Sequence, residues 1–257
     1  PVTFIKKFKT EIKRFGGEHY RFGVVSDTHL GGKYQQITYL NQAYDKFADD
    51  GIETVLHCGD VGAGNGKVYR GQEYELFLQG ADEQEDYVVA NYPKRNGVDT
   101  KIVGGNHDFS YMKNGGYDWL QKVCGRREDL ELLGYFDADI VLAGRRININ
   151  HAEGGVSYAR SYKLQKRIEQ LSPENKPQLM FGGHYHVNCE LAGYRNVYGL
   201  LTACFEAQTP YLKRKALYPE LGFYIIEILL NDADRKDGIA MYRKEYYPFY
   251  VPKDKDY

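Results

Sequence analysis

The chain of 257 residues is 42% hydrophobic and 27% charged, and its 34 Lys and Arg nearly cancel its 35 Asp and Glu. It can therefore bury a sizeable core, shows no global positive field of the kind that marks a general nucleic-acid binder, and has no apolar run long enough to cross a bilayer; "FYIIEILL" (Phe223 to Leu230) is strand-sized. The cysteines Cys58, Cys124, Cys189 and Cys204 are scattered, which argues against a disulfide framework or a thiolate zinc site, and with no secretory pattern at the start they lead us to expect a cytoplasmic protein.

The opening "FIKKFKTEIKRF" spaces Phe4, Ile5, Phe8, Ile12 and Phe15 as on one helical face, with Lys6, Lys7, Lys9, Lys13 and Arg14 opposite. The spacing predicts a basic amphipathic helix docked on its own domain, in an extension (residues 1–20) ahead of a single domain (residues 21–257). "YRFGVVSD" reads as a buried strand. "QITYLNQAYDKFADDG" places Ile37, Leu40, Tyr44 and Phe47 on one helical face, with Gly51 as its stop. "IETVLHCGD" and "TKIVGGNHD" read as further strands, separated by a long helix over "GQEYELFLQGADEQEDYVVANYP" that Pro93 closes. This alternation implies right-handed βαβ units around a parallel sheet.

Later, "ADIVLAGRRININHAE" predicts a hairpin turning at Gly144, "SYARSYKLQKRIEQL" a helix, and "QLMFGGHYH" a strand. "NVYGLLTACF", "LGFYIIEILLND" and "GIAMYRKEYYPFY" continue as strands, with "DADRKDG" as a turn. The expected fold class is α/β, a two-sheet mixed β-sandwich flanked by helices. One sheet is mostly parallel and comes from the βαβ units; the later strands supply the other.

Five of the apolar segments end in metal-competent residues: Asp27 and His29; Asp60; Asn106 with His107 and Asp108; His151; and His184 with His186. Five of the seven histidines lie at such ends, and only His19 and His57 do not. Side chains leaving the carboxyl ends of neighbouring strands converge on one cleft. Carboxylate, amide and imidazole donors suit borderline or hard divalent cations such as Mn, Fe, Zn, Co, Ni or Mg. Asp27, His29, Asp60, Asn106, His151, His184 and His186 are more donors than one ion needs. Two ions about 3.5–4 Å apart could share one carboxylate and clamp a phosphate.

Taken in order, "SDTHLGG", "CGDVGAG", "GGNHDF", "NHAEGG" and "GGHYH" resemble the motifs of the calcineurin-like metallophosphoesterases, over Arg21 to His186 by motif and over the later strands by general pattern. The resemblance implies a four-layer fold and two divalent ions, with manganese the first choice. It implies one ion on Asp27, His29, Asp60 and His186 and another on Asp60, Asn106, His151 and His184, so that Asp60 bridges. It implies hydrolysis of a phosphoester by a hydroxide generated between the ions, with His107 assisting the leaving group and Asp108 holding the His107 ring. Gly59, Gly104, Gly105, Gly182 and Gly183 would let the backbone turn beside the ions. His57 is expected to be structural, Cys58 a buried thiol, and Glu153 an exposed loop carboxylate.

Many phosphatases of the family follow the bridging Asp with an acidic residue and an Arg that contacts phosphate. "GDVGAGNGKVYRGQ" has no such Arg directly, leaving Lys67 or Arg70 as substitutes. The opening D-x-H-L-G resembles that of the DNA-repair exonuclease branch. "TPYLKRKALYP" sets Lys213, Arg214 and Lys215 beside Tyr211 and Tyr218, a pattern able to meet a phosphate backbone and stacked bases. Residues 62–70 and 111–117 are expected to wall the cleft. The leading expectation is a phosphodiesterase, with DNA and hence nuclease activity among the candidates. Phosphomonoester or cyclic-nucleotide hydrolysis is the alternative, and a non-catalytic metal-binding scaffold is a third. No membrane partner is expected, and the sequence leaves the oligomeric state open.

Overall fold

The computed structural model describes residues 4–7, 19–69, 71–142, 144–230 and 238–257. In chain order the first half contains β1 (Phe4–Lys7), β2 (His19–Val25), α1 (Ile37–Asp49), β3 (Thr54–His57), α2 (Ala81–Asn91), β4 (Asp99–Gly104), α3 (Ser110–Gly115), α4 (Trp119–Gly125) and β5 (Leu130–Tyr135). The second half contains β6 (Asp137–Leu142), β7 (Arg145–His151), α5 (Tyr162–Glu169), β8 (Leu179–Gly183), β9 (Cys189–Tyr194), β10 (Val197–Leu201), α6 (Pro210–Arg214), β11 (Leu221–Leu230) and β12 (Ile239–Phe249).

Two six-stranded sheets result, in the orders β12-β11-β2-β3-β4-β5 and β1-β6-β7-β8-β10-β9. Strands β2 to β5 run parallel, as the βαβ pattern requires. Such strands are covered on both faces and therefore read as nearly continuous apolar runs. Phe22, Val24, Leu56 and Val103 point into the sandwich against Ile140, Ile149, Phe181 and Leu200 of the second sheet. Val25, Val55 and Ile102 point the other way, onto Leu40, Tyr44 and Phe47 of α1 and Trp119 and Val123 of α4. On the far side, Leu164 and Ile168 of α5 cover Met180, Val197 and Leu201. The result is four layers: helices, sheet, sheet, helix. Each fully buried Leu, Ile or Phe in them contributes roughly 1.5–3 kcal/mol.

Three expectations are corrected. Phe4–Lys7 is not helical but a strand in parallel register with Ala138–Val141, so it extends the second sheet; residues 8–18 of the predicted helix lie outside the described residues. Within residues 71–93 the α-helix covers only Ala81–Asn91. Gly80 is extended (φ −75°, ψ 147°), its N–H donates to the Glu83 carboxylate (3.0 Å), and before it Glu73–Glu75 form one 3₁₀ turn. The last strands do not complete the second sheet. β11 lies antiparallel to β2, and β12 borders β11 as the edge of the first sheet, where Pro248 is tolerated because that side needs no ladder donor. The predicted turn at residues 232–238 falls almost wholly outside the described residues. Among the described residues no helix is long and apolar enough to cross a membrane.

Candidate metal centre

The loops after β2, β3, β4 and β8 and the end of β7 meet at one edge of the sandwich. The first two are zipped together beyond their strands: Asp27 N–H donates to Gly59 O (2.9 Å), Thr28 N–H to Asp60 O (2.9 Å) and Leu30 N–H to Val61 O (2.9 Å). The sequence places Asp27 and His29 at the end of the apolar β2 segment. They sit past the last residue of β2, and both are left-handed, with φ of 51° and 44°. Asp60 (56°), His184 (85°) and His186 (54°) share that conformation, so five of the seven expected ligands adopt a backbone state that non-glycine residues avoid. Strain of this kind persists only where the surroundings enforce it, and it gathers at functional sites.

Two groups of donor atoms hold the expected ligands, and a third, of His29, Asp60 and His107, overlaps them. Nε2 of His186 lies 3.2 Å from Asp27 Oδ1 and 3.2 Å from Nε2 of His29, which is itself 3.9 Å from the same oxygen. In the second group, Nε2 of His151 lies 3.0 Å from Asp60 Oδ2 and 3.1 Å from Asn106 Oδ1, and His184 joins them with its ring 5.2 Å from that of His151. Asp60 belongs to both groups through one atom, because Oδ2 is also 3.8 Å from His29 Nε2 while Oδ1 accepts from His107 N–H (2.8 Å). His151 Nδ1 donates to Cys58 O (2.8 Å) and His184 Nε2 to Gly154 O (2.9 Å). Those bonds leave the lone pairs on His151 Nε2 and His184 Nδ1, the usual way in which an outer partner sets the ligating nitrogen.

These donor atoms face one another at close range, so each contact needs a shared proton or a cation between its atoms. Burial pushes the Asp27 and Asp60 carboxyls up, yet the neighbouring imidazoles outweigh it and hold both well below the carboxylate range. Burial likewise opposes charge on His151, but Asp60 and Asp27 raise it to about 9. By contrast, burial and His107 keep His29 neutral, and burial and His151 bring His184 down to about 4. Carboxylate, amide and imidazole donors grouped in this way fit borderline divalent ions.

The glycines matter through proximity more than through turning. Only Gly59 of the five has positive φ (+98°), and a Cβ there would lie 2.4 Å from His151 Nδ1. A Cβ on Gly105 would lie 2.2 Å from Asp60 Oδ1.

His107 lines the cleft, with Nδ1 2.7 Å from Ala63 O. Asp108 does not touch that ring, which corrects the role expected for it. Its buried carboxylate accepts from the N–H groups of Gly105 (2.8 Å), Gly62 (3.0 Å) and Val61 (3.2 Å), tying the β4 loop to the β3 loop. Because it faces backbone donors, a carbonyl takes its place behind the imidazole. His57 is structural as expected, since Nδ1 accepts from Gly59 N–H (3.1 Å) and Nε2 lies 3.2 Å from Thr28 Oγ1. Cys58 is buried, and Glu153 is an exposed loop carboxylate that also lines the cleft.

Two residues escaped sequence reasoning. Tyr69 donates through its hydroxyl to Asn106 O (2.7 Å), accepts from Asn106 Nδ2 (2.9 Å) and stacks on His107. Glu206 sits behind the first group, its carboxylate oxygens 3.9 Å from His29 Nδ1 and 3.7 Å from His186 Nδ1. That His186 nitrogen is buried and has no hydrogen-bond partner among the described residues. Burial, with Glu75, Asp27 and Asp60 nearby, raises the Glu206 carboxyl to about 8. A lone Glu inside the apolar run "LTACFEA" was the available signal; Tyr69 falls in the expected wall segment 62–70, but nothing there singled it out.

The cleft over these groups has a volume of about 540 Å³. Residues from both expected wall segments, Tyr69 and Lys113, line it. Lys67 is exposed and does not line it, and Arg70 lies outside the described residues. Lys213, Arg214 and Lys215 are exposed and do not line it either; Tyr211 and Tyr218 do.

Several solved structures are similar to this chain. A conserved protein from Streptococcus pneumoniae, described as a predicted phosphoesterase, is 14% identical, with 89% of this chain and 98% of that one covered and a TM-score of 0.42. Yfce, a phosphoesterase from E. coli, is 16% identical over 87% and 98% (TM-score 0.40), and Vps29 from Chaetomium thermophilum is 13% identical over 90% and 96% (TM-score 0.42). No curated protein sequence matches the chain. The profile of the calcineurin-like phosphoesterase superfamily domain matches residues 20–197, more than half the chain, and the protein belongs to that superfamily.

Proposed function

We propose that the protein hydrolyses phosphodiesters in a reaction that depends on two divalent metal ions. The observation that carries the diester preference is the charge of the cleft. Among the described residues Lys113 is the one Lys or Arg lining it, and it faces the Glu153 carboxylate at 4.0 Å, while Glu75 and Glu206, their carboxyls raised by burial, also line it. A diester presents one negative charge where a monoester presents two, so it suffers less from Glu153 and needs no additional cation. Ions held by Asp27, His29, Asp60 and His186 and by Asp60, Asn106, His151 and His184 would polarise the phosphoryl oxygens and supply a nucleophile at neutral pH. His107 supplies the acid: with Nδ1–H held by Ala63 O, a protonated ring presents Nε2–H to the departing alkoxide. With the Lys213–Lys215 cluster outside the cleft, nothing described there tracks a long polyanion, which favours a small diester over DNA.

The test is turnover of bis-p-nitrophenyl phosphate against p-nitrophenyl phosphate with Mn²⁺ present, with a chelator control. The diester is expected to be preferred, and His107→Ala to lower kcat by roughly 10²–10⁴ while metal binding persists. Preference for the monoester overturns the reading. Metal-loaded protein silent on both substrates, with no effect of His107→Ala, would instead describe a scaffold.

A further inference from the structure

The metal groups line only part of the cleft. One continuous part of the remaining lining comes from residues 209–219 with Val187: Tyr211, Leu212, Leu217, Tyr218 and Pro219. This segment is built rather than loose. Thr209 Oγ1 accepts from Leu212 N–H (3.2 Å) and Glu75 Oε1 accepts from Tyr211 N–H (2.7 Å), and Gln208 Nε2 donates to Leu217 O (2.7 Å). Glu220 N–H donates to His186 O (2.8 Å), which ties the segment directly to a metal-competent loop. Yet Tyr218 remains 63% exposed.

We infer that this apolar and aromatic wall is a subsite for a flat aromatic group, aryl or nucleobase, carried on the phosphoester. The inference rests on the phosphoesterase reading in taking the metal groups as the phosphate anchor. A phosphate anchored there leaves its ester group in the same cleft, where Leu212, Leu217, Val187 and Pro219 offer no hydrogen bonds. A polyhydroxylated alcohol would leave unpaired the hydroxyls it turned to this wall, at a cost an aromatic ring avoids. Tyrosine rings select a flat partner over an alkyl chain, because stacked π-faces gain beyond the area they bury. Four of the protein's tyrosines, Tyr69, Tyr185, Tyr211 and Tyr218, line this one cleft.

Phenyl-, hexyl- and methylphosphonate share one head group, and their P–C bond survives a hydrolase. Their affinities for the Mn²⁺-loaded protein, measured by calorimetry, test the subsite without turnover. Phenylphosphonate is expected to bind at least about tenfold more tightly than methylphosphonate, the scale of one aromatic stacking contact, and more tightly than hexylphosphonate. Tyr218→Ala, at an exposed position, should bring phenylphosphonate down to the methylphosphonate level, and Tyr218→Phe should retain the preference. Equal phenyl and methyl affinities, or hexyl binding as tightly as phenyl, would overturn the inference, as would no binding of any of the three. A phenyl preference in protein that turns over no diester would leave the subsite standing and remove the diesterase reading alone.

Discussion

Tyr69 lies nearly parallel to His107, ring centroids 4.5 Å apart and planes 23° from coplanar, while its hydroxyl exchanges two hydrogen bonds with Asn106. One side chain therefore orients the proposed acid and, by occupying Asn106 Nδ2, turns Asn106 Oδ1 towards His151. Tyr69→Phe should keep the stacking and lose the amide anchor. Metal affinity of the Asn106 site should fall about 10–100-fold in a calorimetric titration, the usual cost of removing an outer partner. Unchanged affinity would refute the anchoring role.

Glu206 faces the outer nitrogens of two imidazoles of the other site. Glu206→Gln preserves volume but removes the carboxyl, held at about 8 without an ion, that would ionise beside the metal-loaded imidazoles and raise their basicity. The expected result is roughly tenfold weaker binding at the Asp27–His29–His186 group and little change at the Asn106 group, read as two resolved steps in the same titration. Equal weakening of both steps would point to general disruption.

Asp108 has a structural consequence to reveal. Asp108→Ala strands three buried N–H groups, each costing about 1–3 kcal/mol, and should lower the urea midpoint of unfolding well beyond the effect of His107→Ala. A variant of wild-type stability with slowed catalysis would restore the ring-orienting role that the geometry assigns to Ala63 O.

Metal binding should release protons. Asp60 and Asp27 hold His151 at about 9 in the absence of an ion, so its ring is protonated at pH 7 and must lose that proton to ligate. Calorimetry in buffers of different ionisation enthalpy at pH 7 should show about one or more protons released per protein, and metal affinity should rise as pH climbs towards 9. No release at pH 7 would contradict a protonated His151.

The parallel half of the fold was legible because a strand buried on both faces leaves continuous runs such as those of β2, β3 and β4. The helices α1 and α5 were legible from their stripes, Leu40, Tyr44 and Phe47 in one and Leu164 and Ile168 in the other. Local pattern failed where tertiary pairing decided. The helix-like spacing at the start of the chain does not announce that Phe4–Lys7 pairs with β6, and no periodicity announces that β11 crosses back to β2.

The sequence by itself determined which side chains could meet, because polar residues ending several apolar runs have one shared edge to occupy. It thereby marked Asp27, His29, Asp60, Asn106, His107, His151, His184 and His186, all brought together in the fold. Only tertiary structure decided what stands behind them. Whether Asp108 faces a ring or three backbone N–H groups, whether Glu206 reaches two histidines, and which residues of the 209–219 segment turn into the cleft all depend on distances between loops far apart in the chain. Spacing along one strand cannot encode those distances.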